Sequence, residues 1–308
     1  MEVSKTNVQG NANMISMDEE RTVAYLREHN LDYTNQVSES VHPKNTVYTR
    51  VIKRALDVLI SLPVFIILLP FNALFAVCTF LDVGHPIIFK QTRLGKDGKP
   101  FVMIKFRNMN EKKDADGRLL PPSQRVTKFG RFMRKFSLDE LLNFWSVLKG
   151  DMSIIGPRPQ PVFIYERLSE RHKLRCAVRP GLECPRMIHV PDEEIYKYQR
   201  TFENDIWYVE NCSFLTDCKM LFALVKMVFA MSKRGSQASG KGITYFVGYD
   251  GNGRAISLKN YKQLGYEAVM ARNSSPAVKI ADTDNVPVEK TAVSTDQGEK
   301  EKEGMVAV

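Results

Sequence analysis

The sequence predicts a mostly helical α+β fold, and three features carry that expectation. A charge-free apolar run extends from Val58 to Leu81, two strand-like segments flank an Asp97-Gly98 pair, and Ser137 to Gly150 reads as a capped helix with adjacent carboxylates in its first turn. The expected architecture is a membrane-associated helix-break-helix, a small β-hairpin and amphipathic interfacial helices.

Residues 1–48 are polar, with mixed charge and a short helix expected around Glu19 to Glu28, so they read as a partly disordered extension. The apolar run follows. At roughly 24 residues it is long enough to cross a hydrocarbon core of about 30 Å. Pro63 and Pro70 interrupt it, and an interior proline removes a backbone hydrogen bond and bends or breaks a helix. Lys53 and Arg54 precede the run and Lys90, Arg93, Lys96 and Lys99 follow it, so basic flanks favour the cytoplasmic side at both ends. A segment that dips into one leaflet and returns satisfies both observations; on these residues alone an ordinary single span is an equal alternative. A cleavable signal peptide is not expected, since the run begins some way into the chain.

Next come the expected strands Pro86–Gln91 and Phe101–Phe106, joined by the Asp97-Gly98 turn. A Gly- and Pro-containing loop over 114–124 leads to a basic segment, Arg125 to Lys135. Ser137 is the expected N-cap, Glu140 the third helical position of a capping box, and Gly150 the helix terminator. Further helices are expected around Val162 to Ala177 and Phe214 to Met231. The second, apolar with basic ends, suits either a membrane interface or a buried position. A hairpin around Asp250-Gly-Asn-Gly253 follows, and the tail from about Asn273 has the polar, aromatic-poor composition of a disordered segment.

Composition narrows the function. Lys and Arg number 44 against 35 Asp and Glu, for a net charge of +9, which favours anionic partners: lipid headgroups, nucleotides or nucleic acid. Nucleic acid is not expected, because the apolar run is out of place and no binding motif accompanies the charge. The five cysteines lack a C-x-x-C pair, the five histidines lack ligand spacing, and neither a G-x-x-x-x-G-K-[ST] loop nor an H-E-x-x-H pair occurs. Disulfide scaffolds, zinc sites and P-loop ATPases are not indicated.

Asp139 and Glu140 are the candidate chemical centre. Adjacent helical residues point about 100° apart, so the two carboxylates can divide labour, one attacking phosphorus while the other ligates Mg²⁺ and screens an anionic nucleophile from a diphosphate. The alternative is that both are merely favourable first-turn anions. Arg134 lies five residues before Asp139, Lys105 and Arg107 lie at the end of the second expected strand, Arg158 sits between two prolines, and Arg179-Pro-Gly181 is another rigid basic turn. Guanidinium groups suit forked contact with phosphate oxygens, although each one singly also fits a solvated surface charge.

The chain resembles the bacterial sugar transferase family, the monotopic polyprenyl-phosphate phosphoglycosyl transferases. The matching pieces are Lys53-Arg-Ala-Leu-Asp57, Pro70, Phe89-Lys-Gln-Thr-Arg-Leu-Gly95, Ile104-Lys-Phe-Arg-Asn-Met109, Ser137-Leu-Asp-Glu-Leu141, Leu148-Lys-Gly-Asp-Met-Ser153, Gly156-Pro-Arg-Pro159, Val178-Arg-Pro-Gly181, Phe202-Glu-Asn-Asp205 and Ser213-Phe-Leu-Thr-Asp217, in order across roughly residues 50–235. The resemblance implies a re-entrant segment 52–82 broken at Pro70, Asp139 as nucleophile and Glu140 as a Mg²⁺ ligand. It further implies that Arg134 clamps phosphate and Arg158 helps frame the site, with Lys105 as a further candidate; Arg179 is a candidate phosphate ligand from its own rigid basic turn. The implied substrates are a nucleoside diphosphate sugar, a UDP-sugar first among them, and polyprenyl (undecaprenyl) phosphate. The implied location is the bacterial cytoplasmic membrane, with the site facing the cytoplasm and downstream glycosyltransferases as possible partners.

The transferase domain is expected over 49–236, and 237–308 as an appended hairpin and tail. Two departures stand out: Leu69 replaces the usual Ser before the breaking proline, and Leu182-Glu-Cys-Pro-Arg-Met-Ile-His189 replaces the usual Gly-Trp-Ala-Gln and Asn-Gly-Arg segment, with Arg186 as a partial substitute. A catalytically altered, membrane-tethered scaffold of the same fold is the competing expectation.

Overall fold

A computed structural model describes residues 17–191, 196–229 and 245–263. Helix α1, Met17–Val37, is a single 21-residue helix that buries Leu26 against the C-terminal hairpin, longer and better packed than the short helix expected there. After a π-helical turn, Tyr48–Ile52, the apolar run forms helix α2, Lys53–Val83. At 31 residues it is about 45 Å long if straight.

Helix α2 stays helical through Pro63 and Pro70, with no unwound segment at either. It is the one helix among the described residues long and apolar enough to cross a membrane. Most of its surface is open: Leu59, Ile67, Leu74 and Leu81 are all more than half exposed. Its polar residues turn the other way, with Asp57, Ser61, Asn72 and Thr79 buried. A helix that exposes its aliphatic side chains and buries its polar ones inverts the pattern of a water-soluble surface helix and suits hydrocarbon outside and protein inside.

Along its length α2 touches the rest of the domain. Arg54 donates to the carbonyls of Val147 and Leu148, Asp57 accepts from the Ser153 hydroxyl and the Ile154 N–H, and Phe65 packs on Trp145. Further along, Phe75 meets Phe106 edge-on, Asp82 accepts from Thr127, and Arg107 donates to the Val83 carbonyl.

Strands β1, Ile88–Leu94, and β2, Pro100–Phe106, form the expected antiparallel hairpin, with Ile88 opposite Phe106 and Leu94 opposite Pro100. Asp97 (φ 56°) and Gly98 (φ 71°) both take the left-handed conformation that a tight turn needs. The basic segment becomes α3, Lys128–Lys135, capped by the Thr127 hydroxyl accepting from the Gly130 N–H.

The Ser137-to-Gly150 region departs from expectation. Leu138–Glu140 is one turn of 3₁₀-helix, and the α-helix, α4, begins at Asn143 and ends at Lys149. Ser137 makes no side-chain cap and sits at φ 56°, so the capping box does not form; Gly150 (φ 99°) ends the helix as expected. The expected helix over 162–177 is likewise split, into a 3₁₀ segment Val162–Arg167, a short helix Glu170–Lys173 capped by Ser169, and a 3₁₀ turn Leu174–Ala177.

Strands β3, Ser153–Ile155, and β4, Gly181–Glu183, pair in parallel. A Cβ on Gly181 would lie 2.2 Å from the Gly156 nitrogen, so the Gly156-Pro and Pro-Gly181 turns are glycine-bearing because two backbones touch there. Helix α5, Lys197–Asn211, was not anticipated; α6, Phe214–Phe229, was. Helix α6 exposes Phe214, Leu215 and Phe222 while burying Met220.

Strands β5, Phe246–Tyr249, and β6, Ala255–Ser257, form the C-terminal hairpin, followed by helix α7, Leu258–Gln263. Phe246, Tyr249 and Ala255 share one core cluster with Ile164, Leu168 and Phe202, and Glu19 of α1 pairs with the buried Arg167. The expected tail from Asn273, Met231 at the end of α6 and Ile243 at the start of the hairpin lie outside the described residues.

Candidate active site

The hairpin β1–β2 floors a cleft. Side chains two apart on a strand share a face, and the register places Gln91 and Arg93 of β1 on the same face as Met103 and Lys105 of β2. With Glu140, Arg158 and Pro159 these four line a small cleft.

The left-handed Ser137 and the 3₁₀ turn after it bring Glu140 to the cleft lining and Asp139 to a buried position next to it. Asp139 is 5% exposed. Its Oδ2 accepts from Asn108 Nδ2 at 2.7 Å, and the Asn108 Oδ1 accepts from Arg134 Nε at 3.1 Å. Asn108 therefore ties the candidate nucleophile to a cation through one amide. Glu140 Oε1 accepts from Arg158 Nη2 at 2.5 Å, and the other nitrogen of that fork, Nη1, lies 3.9 Å from Glu183 and donates to the Leu182 carbonyl.

The electrostatics separate the two acids. Burial and then the charge of Glu140 push the Asp139 carboxyl up, against the opposing pull of Lys105 and Arg134. Burial pushes Glu140 up too, but Arg158, Lys105 and Arg93 together outweigh it and leave the group below the ordinary carboxylate range. Burial lowers Lys105, with Glu140 and Asp139 opposing. Thus Glu140 is the fixed anion and Asp139 the buried carboxylate whose charge is least well compensated.

Asp139, Glu140, Lys105, Arg134 and Arg158 come together as a group. Arg179 does not line the cleft; its Nε donates to the Gly150 carbonyl at 3.0 Å, closing the end of α4. Arg107 turns to the end of α2 and to Glu111. Sequence reasoning missed Gln91 and Arg93 as cleft residues and Asn108 as the partner of Asp139, although strand alternation from Lys105 and the pairing across Asp97-Gly98 point to Arg93.

Among the described residues no cluster of three or more His, Cys, Asp or Glu side chains could hold a metal by itself. Two adjacent carboxylates nevertheless fit Mg²⁺, which commonly takes one or two protein oxygens and completes its shell with water and substrate phosphate. Glu140 would share its carboxylate between such an ion and Arg158.

Residues 48–231 match the family model described as bacterial sugar transferase. The chain belongs to the bacterial sugar transferase family. It is 42% identical over 148 residues to an uncharacterized sugar transferase, EpsL, of Bacillus subtilis (strain 168), covering 48% of this chain and 72% of that one. It is 37% identical over 186 residues to the UDP-glucose:undecaprenyl-phosphate glucose-1-phosphate transferase of Escherichia coli (strain K12), covering 57% of this chain but only 40% of that longer protein. A third relative, an exopolysaccharide production protein of Rhizobium leguminosarum bv. phaseoli, is 34% identical over 187 residues, covering 57% of this chain and 94% of that one. The family match takes in every residue of the cleft. Helix α1 and the C-terminal hairpin lie outside it.

Proposed function

We propose that this chain transfers a sugar 1-phosphate from a nucleoside diphosphate sugar to polyprenyl phosphate, through a phosphosugar ester on Asp139. The observation that carries the reading is a buried carboxylate set beside Lys105, Arg134 and Arg158 in a domain clad on one side by an exposed apolar helix. The E. coli relative is named for such a transfer from UDP-glucose, and an Aeromonas hydrophila relative for the corresponding transfer from UDP-N-acetylgalactosamine.

In the first step an Asp139 oxygen attacks the sugar-bearing phosphorus, and the bond from that phosphorus to the bridging oxygen breaks. The electron pair leaves with the nucleoside monophosphate. In the second, a phosphate oxygen of the lipid attacks the same phosphorus and the Asp139 carboxylate departs, which splits one hard transfer into two. Arg134, Lys105 and Arg158 hold the phosphoryl oxygens and spread their charge. Asn108 keeps the carboxylate aimed in both steps. Mg²⁺ at Glu140, when bound, neutralises diphosphate charge.

The basic residues on both flanks of α2 support a course with both ends on the cytoplasmic side, which requires the helix to bend at Pro70 without unwinding. The site then lies at the leaflet from which a lipid phosphate arrives. Asp139→Asn is expected to abolish nucleoside monophosphate release and lipid-linked product together. Full turnover by that variant would remove Asp139 from the role.

A further inference from the structure

Arg93 is the cation of the cleft that no step above employs. Its side chain shares the sheet face with Lys105, donating from Nη2 to Gln91 Oε1 at 2.6 Å and from Nη1 to the Pro159 carbonyl at 3.3 Å. Its Nε is buried with no hydrogen-bond partner. The cleft's ion pairs belong to Arg158, with Glu140 and Glu183; among the described residues Arg93 has none. Burial first, and Arg158 second, lower its guanidinium to about 10.

A half-buried cation held in place by neutral acceptors, with one N–H buried and orphaned, is costly unless an anion completes it. Glu140, the carboxylate lining the cleft, is already paired with Arg158, so among the described residues Arg93 and Lys105 have no ion pair there. Position then assigns the anion. On the hairpin Arg93 stands opposite Phe101, Lys105 lies four residues further along β2, and Asn108, the donor to Asp139, lies beyond Lys105. The order along the cleft is therefore Asp139, Lys105, Arg93.

We infer that Arg93 binds the nucleotide-side phosphate of the donor, one phosphate further from Asp139 than the phosphorus under attack. This rests on the proposed transfer. When the bond to the bridging oxygen breaks, negative charge grows on that departing phosphate, and a guanidinium already desolvated and oriented stabilises it without reorganising. Arg93 then serves the first half-reaction alone, since the nucleotide has gone before the lipid phosphate attacks.

A two-step exchange through a covalent intermediate offers a readout that general damage does not imitate, because each substrate's kcat/KM reports its own half-reaction. Purified full-length Arg93→Ala would be assayed with UDP-glucose and UDP-N-acetylgalactosamine as donors and undecaprenyl phosphate as acceptor. The expected result is a fall of about 10²- to 10³-fold in kcat/KM for the donor, with kcat/KM for the lipid within about twofold of wild type. Inhibition by free UMP should weaken at least about tenfold, since an Arg–phosphate contact is worth that much. Arg93→Lys, which keeps the charge but not the fork, should recover part of the loss and serves in place of Arg93→Ala if that variant does not fold.

Equal losses for donor and lipid, or an unchanged donor kcat/KM, would overturn the assignment while leaving the Asp139 chemistry standing. Turnover retained by Asp139→Asn would instead overturn the underlying reading.

Discussion

Asp205, in the Phe202-Glu-Asn-Asp205 motif, is 1% exposed and bears no chemistry of its own. It holds Arg175, itself 2% exposed, through Nε at 3.0 Å and Nη2 at 2.5 Å on one oxygen, Oδ2. The same Nη2 donates at 2.9 Å to the backbone carbonyl of Arg158. Asp205→Asn neutralises one partner and leaves a guanidinium buried without its counter-charge. Removing one half of a buried pair costs about 3–5 kcal/mol. For a chain of this size each kcal/mol moves the midpoint by roughly 2–4 °C, so thermal unfolding in detergent should shift down by roughly 6–20 °C. Removing both charges with Arg175→Met and Asp205→Leu should restore much of that loss, because no charge is then stranded. Activity should stay low in the double variant, since the Arg158 carbonyl still lacks its donor. A midpoint within about 3 °C of wild type for Asp205→Asn would refute the argument that this motif stabilises the domain through charge pairing.

Asn108→Ala removes the donor to Asp139 and the acceptor for Arg134 at once. A hydrogen bond to a charged group is worth about 1.5–3 kcal/mol, so kcat, measured by nucleoside monophosphate release, should fall roughly 10- to 100-fold, and the unfolding temperature should drop by several degrees because the buried Asp139 loses its donor. Burial pushes Glu203 up, but hydrogen bonds from His172 and Arg171 prevail and hold its carboxyl at about 2, below its unfolded value near 4.5. A depressed carboxyl stabilises the fold above the unfolded pKa and loses that contribution as pH falls toward the folded one. The gap in unfolding temperature between wild type and Glu203→Gln should therefore be widest above pH 5 and at least half closed by pH 3; a gap independent of pH would contradict it. Single cysteines placed at positions 50 and 85, in a background lacking the native ones, should both label from the cytoplasmic side in intact membranes if α2 returns to the face it left. Opposite accessibility would establish a full span.

The parts legible in the sequence were those fixed by local chemistry. The hairpin follows from Asp97-Gly98, because the loop between Leu94 and Pro100 reverses the chain through two left-handed residues, and the end of α4 follows from Gly150, whose left-handed conformation glycine adopts freely. The carboxylate segment misled because Ser137 and Glu140 have the spacing of a capping box, a local signal, while contacts to Asn108 and Arg158 decide where those side chains go. With Glu140 drawn to Arg158, its carboxylate pairs with that guanidinium instead of capping, and Ser137 moves to the left-handed region. Helix α1 was read as too short because its apolar period is weak; Leu26 is buried only once the distant hairpin closes over it. Burial of that kind is set by contacts across the whole chain and leaves little local trace.

Arg158 shows how the departures from the family pattern reach the chemistry. The substituted stretch Leu182–His189 contributes the carbonyl of Leu182 and the carboxylate of Glu183 to the same fork that grips Glu140. That stretch is anchored from behind by Asn204, which donates to the Pro185 carbonyl and accepts from the Met187 N–H. Asn204 and Asp205 are neighbours on α5, so one turn of one helix secures both the altered stretch and, through Arg175, the backbone of Arg158. Changes in 185–189 can thus alter what surrounds the donor while the Arg158 backbone stays held through Arg175, whereas changes at Leu182 or Glu183 reach its guanidinium directly. The segment between β4 and α5 can vary while Asp139, Glu140 and Arg158 keep one geometry.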